Sequence, residues 1–120
     1  MRFDLAVNGM TFGAWNDRKL PLMRDGDQWR PMIHVKDTCE AMLFMLNQPV
    51  ESINGHIFNS GSEKNCYQLK ALAERVAKVV GDDVNIEWYG DKDIRSYNVN
   101  FSKIKILGFI PQFEAEDGVR

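Results

Sequence analysis

Cysteine is scarce in this chain. Cys39 and Cys66 stand far apart, with no C-x-x-C pair and no His/Cys cluster near either. Metal binding and dithiol redox chemistry therefore lack their usual sequence marks. Two reduced thiols packed against helices, in a cytoplasmic protein, is the simpler reading. Long apolar runs are missing too. None reaches the roughly 20 residues that a bilayer-spanning helix needs. Met1-Arg2-Phe3-Asp4 opens the chain without the continuous apolar core of a signal peptide. Charge of one sign is not in excess: 15 Lys and Arg face 17 Asp and Glu, for a net charge of -2. A general nucleic-acid or membrane-surface binder carries a basic bias, so neither class is expected.

Other absences concern chemistry. No G-x-G-x-x-G or G-x-x-G-x-x-G is present, and Gly61 is not followed by the Gly-Lys-Ser/Thr of a P-loop. Acidic residues are plentiful, yet none is paired convincingly for general acid–base work. Asp82-Asp83 reads as a solvated turn, and Asp91 and Asp93 as loop residues. No internal repeat or low-complexity tract divides the chain.

What is present alternates between strand and helix. Phe3, Val7, Met10 and Ala14 share one face of a helix predicted over 3–15. Leu20-Pro21-Leu22-Met23 reads as a short strand, with Pro21 marking an edge. A strand is predicted over 32–35. A helix follows over 38–47, with Cys39, Met42, Leu43 and Leu46 facing inward. Further on come a strand over 56–59 and a long helix over 66–80, capped by Asn65 and closed by Gly81. Residues 84–89 alternate as a half-buried strand, 102–107 form a short helix, and another begins at Glu114. This alternation is α/β.

Residues 26–37 carry the densest information. Asp25-Gly26 is a turn, Met32 to Val35 a short apolar strand, and Asp37, with Glu40 three positions on, a helix cap. Arg30 thus enters a buried strand straight after a turn. That placement suits a fixed, forked anion contact. Read alone, Arg30 could equally pair with Asp25 or Asp27, and Arg95 could be a solvated loop charge. His34 and His56 read as structural residues. Trp29 reads as core packing, and Tyr97 as a packing residue whose hydroxyl finds a local partner.

Gly26-Asp27-Gln28-Trp29-Arg30-Pro31-Met32-Ile33-His34-Val35-Lys36-Asp37 also resembles the G-x-x-x-R-[DP]-φ-[IV]-H-V-x-D segment (φ apolar) of the NAD-dependent epimerase/dehydratase family. These are the extended short-chain dehydrogenases that act on nucleotide sugars. Asp93 to Ile104 is similar to the family's D-x-R-x-Y-x-[VA]-[DN]-x-[ST]-K-[IL], and Leu107-Gly108-Phe109-Ile110-Pro111 to its L-G-[WF]-x-P. Asn54 to Ser62 resembles G-x-[VI]-[YF]-N-[IVL]-G-[SG]. These stretches agree in order and spacing, and the resemblance covers nearly the whole chain.

The resemblance implies a C-terminal, substrate-binding part of such an enzyme, with residues 1–120 forming that region. Residues 36–60, one helix and one strand, would normally pack on the dinucleotide-binding half and complete its Rossmann domain. The family's glycine loop and its catalytic Y-x-x-x-K are both missing. No catalytic, metal or cofactor-binding residue is therefore expected in this chain, and NAD or NADP would belong to a full-length parent. The expected ligand is a nucleoside-diphosphate sugar. By resemblance, Arg30 and Arg95 would contact its diphosphate, Leu20, Pro21 and Leu22 would line the base pocket through their backbone, and Asp4 would lie near the base. Two functions follow. One is the nucleotide-sugar-binding portion of an epimerase, dehydratase or reductase, inactive alone. The other is a stand-alone binding module derived from such an enzyme that associates with itself. In either case, apolar faces left uncovered should drive homo-oligomer formation.

Overall fold

Helix α1 (Ala6–Asp17) runs into strand β1 (Lys19–Met23) with only Arg18 between them. Arg18 is left-handed at φ 55°, which turns the helix back across its own strand. Gly13 permits that approach. A Cβ there would stand 2.5 Å from the Lys19 carbonyl oxygen and 2.8 Å from the Pro21 ring. The structure, a computed structural model, describes residues 2–120.

Two small sheets follow. Strand β2 (Trp29–Pro31) pairs antiparallel with β3 (Cys66–Gln68), setting Arg30 opposite Tyr67. Strand β4 (Asn85–Tyr89) pairs parallel with β1, setting Leu20 opposite Ile86. Between them come α2 (Val35–Leu46), α3 (Val50–Ile53) and α4 (Leu69–Val80). Helices α5 (Ser102–Ile106) and α6 (Ala115–Val119) complete the chain. The architecture is the α/β expected from the alternation.

The main core lies where α4 meets α1 and β1. Leu72, Ala73 and Val76 of α4 pack with Ala14, Leu20 and Leu22, all fully enclosed. Burying each leucine or valine contributes about 1.5–3 kcal/mol. A smaller cluster joins Ala41 of α2 to Phe101, Ile104 and Phe109.

Several boundaries differ from the sequence reading. The strand expected over 32–35 is instead Trp29–Pro31, and α2 already begins at Val35. His34, not Asp37, caps α2: its Nδ1 accepts the Lys36 N–H at 3.2 Å. Asn65 does not cap the long helix either. A short strand intervenes, α4 starts at Leu69, and Asn65 is buried and donates to the Phe113 carbonyl at 2.9 Å. Residues 56–59 form no strand, and Ile57 is 83% exposed. A strand needs a paired neighbour, and none lies beside this segment among the described residues. Likewise Cys39, Met42, Leu43 and Leu46 face outward and not inward. Both thiols are free, and Cys66 is half-buried.

Asp37 has a different task from capping. It is almost wholly buried, and its two oxygens accept the Gln112 N–H at 2.9 Å and the Phe113 N–H at 3.1 Å. This ties α2 to the segment before α6. Asp37→Ala would strand two backbone donors, so a loss of about 2–3 kcal/mol is expected in urea unfolding. Asp37→Asn should lose nearly as much, because its NH2 must face a backbone donor. Wild-type stability in both variants would contradict this role.

Candidate functional site

The site is built where an irregular stretch, residues 90–100, runs back along β2. The Trp29 N–H donates to Ser96 Oγ at 3.0 Å, and the Tyr97 N–H donates to the Trp29 carbonyl at 3.4 Å. Farther along, the Asp93 N–H donates to the Arg24 carbonyl at 3.3 Å. These bonds carry Arg95, distant in sequence, to the side of Arg30.

The two arginines share one carboxylate. Arg30 Nη2 donates to Asp93 Oδ2 at 3.0 Å, and Arg30 Nη1 donates to the Trp29 carbonyl at 2.8 Å and to the Arg95 carbonyl. Arg95 grips Asp93 with a fork, Nε to Oδ1 at 2.8 Å and Nη2 to Oδ2 at 3.0 Å. The Arg30 guanidinium also lies over the Tyr97 ring, 5.1 Å from its centre, a favourable cation–π placement. The Arg30 and Asp93 side chains are 17% and 9% exposed, that of Arg95 77%. Arg30 is thus a fixed charge. Arg95 is free to move once Asp93 releases it.

Two cations and one anion leave this cluster with a positive excess. Not every donor is used: Arg30 Nε and Arg95 Nη1 make no bond among the described residues. A planar fork with spare donors suits a phosphate or carboxylate. The cluster lines a cavity of about 1020 Å³, whose wall also includes Phe3, Asp4, Leu5, His34 and Phe113.

Arg30, Arg95 and Asp4 therefore come together around one cavity. Asp4 is exposed and bonded to Arg2 at 3.1 Å, which holds its carboxyl below the usual range. Leu20 and Leu22 do not join them through their side chains, which are wholly enclosed in the core. The strand's alternation puts Pro21 and Met23 on the cavity wall instead. Any contribution from Leu20 and Leu22 comes from the backbone alone. Arg30 pairs with neither Asp25 nor Asp27; Asp25 is taken by Lys92 at 2.8 Å. His34 stacks on Phe113 with ring centres 4.5 Å apart. Asp93, which reads in the sequence as a loop residue, is the anion that the two arginines share. Its place two positions before Arg95 was the available signal. No group of three or more metal-ligating side chains occurs among the described residues.

Known proteins resemble this chain in sequence and in fold. Residues 6–61 match the sequence model of the NAD dependent epimerase/dehydratase family. Over 108 residues the chain is 31% identical to a low-salt glycan biosynthesis protein of Haloferax volcanii, covering 88% of this chain and 34% of that protein. It is 42% identical over 60 residues to UDP-D-apiose/UDP-D-xylose synthase 2 of Arabidopsis thaliana, covering 50% of this chain and 15% of the synthase. A dTDP-glucose 4,6-dehydratase of Bacillus anthracis, solved with NAD, superposes with TM-score 0.74 at 26% identity, covering 97% of this chain and 37% of that one. UDP-glucuronic acid 4-epimerase of Bacillus cereus, solved with UDP-glucuronic acid and NAD, superposes with TM-score 0.81 at 20% identity. That match covers 99% of this chain and 38% of the other, and shows likeness of fold. The chain spans well under half the length of each of these relatives.

The shared carboxylate has a measurable signature. Bonds from the Arg95 side chain and backbone N–H, with the charge of Arg30 added, hold the Asp93 carboxyl at about 2. Its folded pKa lies below the unfolded value. The pairing therefore stabilises the fold fully above the ordinary carboxylate range and is lost as pH falls towards 2. Carbon-detected NMR of the Asp93 carboxyl should give a midpoint near 2. Arg95→Ala should move it most of the way to the ordinary value of about 3.9, and Arg30→Ala less far. An unperturbed midpoint in the wild type would contradict the geometry.

Proposed function

This chain belongs to the NAD dependent epimerase/dehydratase family, and we propose that it is the substrate-binding part of a sugar-nucleotide enzyme, in which Arg30 and Arg95 clamp the diphosphate. One observation carries the proposal: two arginines from separate segments converge on a single anion, Asp93, at the wall of a ligand-sized cavity. A diphosphate offers the same guanidiniums more oxygens and more charge than a carboxylate does. On this reading it displaces Asp93 from Arg95 and takes up the free donors of both arginines.

On this reading the described residues do not grip the pyrophosphate of NAD. Leu5, His34 and Gln68 precede α1, α2 and α4, so none of these helices opens on a glycine turn. Without that turn the backbone cannot approach a dinucleotide pyrophosphate. On this reading, redox chemistry on the sugar is assigned to parts of an enzyme other than these residues. No helix among the described residues is long and apolar enough to cross a membrane.

Titration with UDP and with inorganic pyrophosphate tests the clamp. Arg30→Ala or Arg95→Ala should weaken both ligands by on the order of tenfold to a hundredfold, since each removes a charge-assisted contact. Lysine at either place should restore only part, for want of a planar fork. Binding at the wild-type level by both alanine variants would make these arginines structural.

An exposed apolar helix face favours a second reading, a module that acts through copies of itself. Met42, Leu43 and Leu46 are 63%, 54% and 81% exposed along one helix, a contiguous apolar face of the kind that marks interfaces. Light scattering should find the 120-residue chain above monomer mass at high concentration, and Leu43→Glu with Leu46→Glu should return it to monomer. A monomer at every concentration would remove this reading and leave the clamp untouched.

A further inference from the structure

Building on Arg30 and Arg95 as a diphosphate clamp, we propose that the side-chain amide of Gln28 binds the donor–acceptor edge of the nucleobase carried by the same ligand. Gln28 is 3% exposed, and among the described residues neither its Nε2 nor its Oε1 has a hydrogen-bond partner. Buried amides are almost always bonded, and an unbonded one opposes folding. An orphaned donor and acceptor on one side chain is what a site for a paired edge looks like before the ligand arrives.

Placement supports this. Gln28 forms part of the wall of the cavity that Arg30 and Tyr97 also line. Its backbone is fixed, because its carbonyl accepts the Leu69 N–H at 3.1 Å and that of Asp27 accepts Gln68 Nε2 at 3.2 Å. Only the side chain is left to turn, and its terminal torsion is soft. Gln28 stands directly before β2 and Arg30 within it, and both line the cavity; two residues of extended chain span about 6.6 Å. A ribose, which separates a base from its first phosphate, bridges a gap of that order.

The surroundings favour a base over a sugar. Pro21, Met23 and Leu69 line the same cavity and suit the flat, apolar faces of a heterocycle. A hexose would bring several hydroxyls to a wall where one amide must serve them all. The amide can turn over to meet either polarity, so it recognises a paired edge and not one particular base.

The test compares UDP, 3-methyl-UDP (which lacks the N3–H donor) and inorganic pyrophosphate on wild-type chain and on Gln28→Met. Methionine keeps length and bulk and removes both hydrogen-bonding atoms. The wild type should bind 3-methyl-UDP on the order of tenfold more weakly than UDP. Gln28→Met should bind both alike, at the weaker level, with pyrophosphate unchanged. Equal loss of pyrophosphate in Gln28→Met would mean a structural residue and overturn the assignment. So would undiminished UDP binding in Gln28→Met; if Arg30→Ala still lost pyrophosphate, the clamp would stand without the base contact. An effect seen with a UDP-sugar and not with UDP would give the amide to the sugar and overturn it as well. Conversely, loss of methyl discrimination in Gln28→Met beside an Arg30→Ala that binds pyrophosphate normally would support the base contact and remove the clamp.

Discussion

Two guanidiniums do not come together unaided, and the carboxylate of Asp93 is what holds Arg30 and Arg95 at one place. Like charges repel, and partial enclosure strengthens the repulsion. Asp93 offsets it with bonds to both, close to 3 Å in each case. The rest of the structure serves this arrangement. Strand β2 fixes Arg30 by pairing with β3, which leads directly into α4 and the main core. The returning segment is fastened to the Trp29 backbone by the Ser96 hydroxyl and the Tyr97 N–H and brings Asp93 and Arg95 with it. A site made from positions so far apart in the chain exists only in the folded state.

The arrangement also suits exchange of one anion for another. Arg30 is held by the backbone as well as by Asp93, so it keeps its place when the carboxylate leaves. Arg95 has only Asp93 on its side chain and is mostly exposed. Releasing it gives up the fork that holds the Asp93 carboxyl low, so the incoming anion must offer Arg95 bonds at least as good. The fixed arginine supplies geometry and the mobile one supplies reach.

Much of this was legible in sequence, for identifiable reasons. Leu69, Leu72, Ala73 and Val76 of α4 recur at helical spacing and are buried, and Gly81 closes the helix where expected. Arg30 stood out because a charge following a turn into an apolar run needs a reason to be there. Partnerships over long range were harder to see. Asp37 looked like a cap because its helix begins nearby, yet it serves backbone donors at 112 and 113. Asn65 looked like a cap for the same reason and instead joins Tyr67 and Phe113. Residues 56–59 have strand composition and no strand beside them. Periodicity reports which face is apolar but not what covers it, and so Met42 and Leu46 read as inward-facing yet lie exposed.

The central claim is that Arg30 and Arg95 hold one diphosphate between them. The Nε–Hε signals of the two arginines, followed by NMR as UDP is added, address it most directly. Both signals should shift along a single saturation curve, and the Asp93 carboxyl should move with them as Arg95 lets it go. Signals that stay still at saturating UDP, or a shift at one arginine alone, would contradict the clamp.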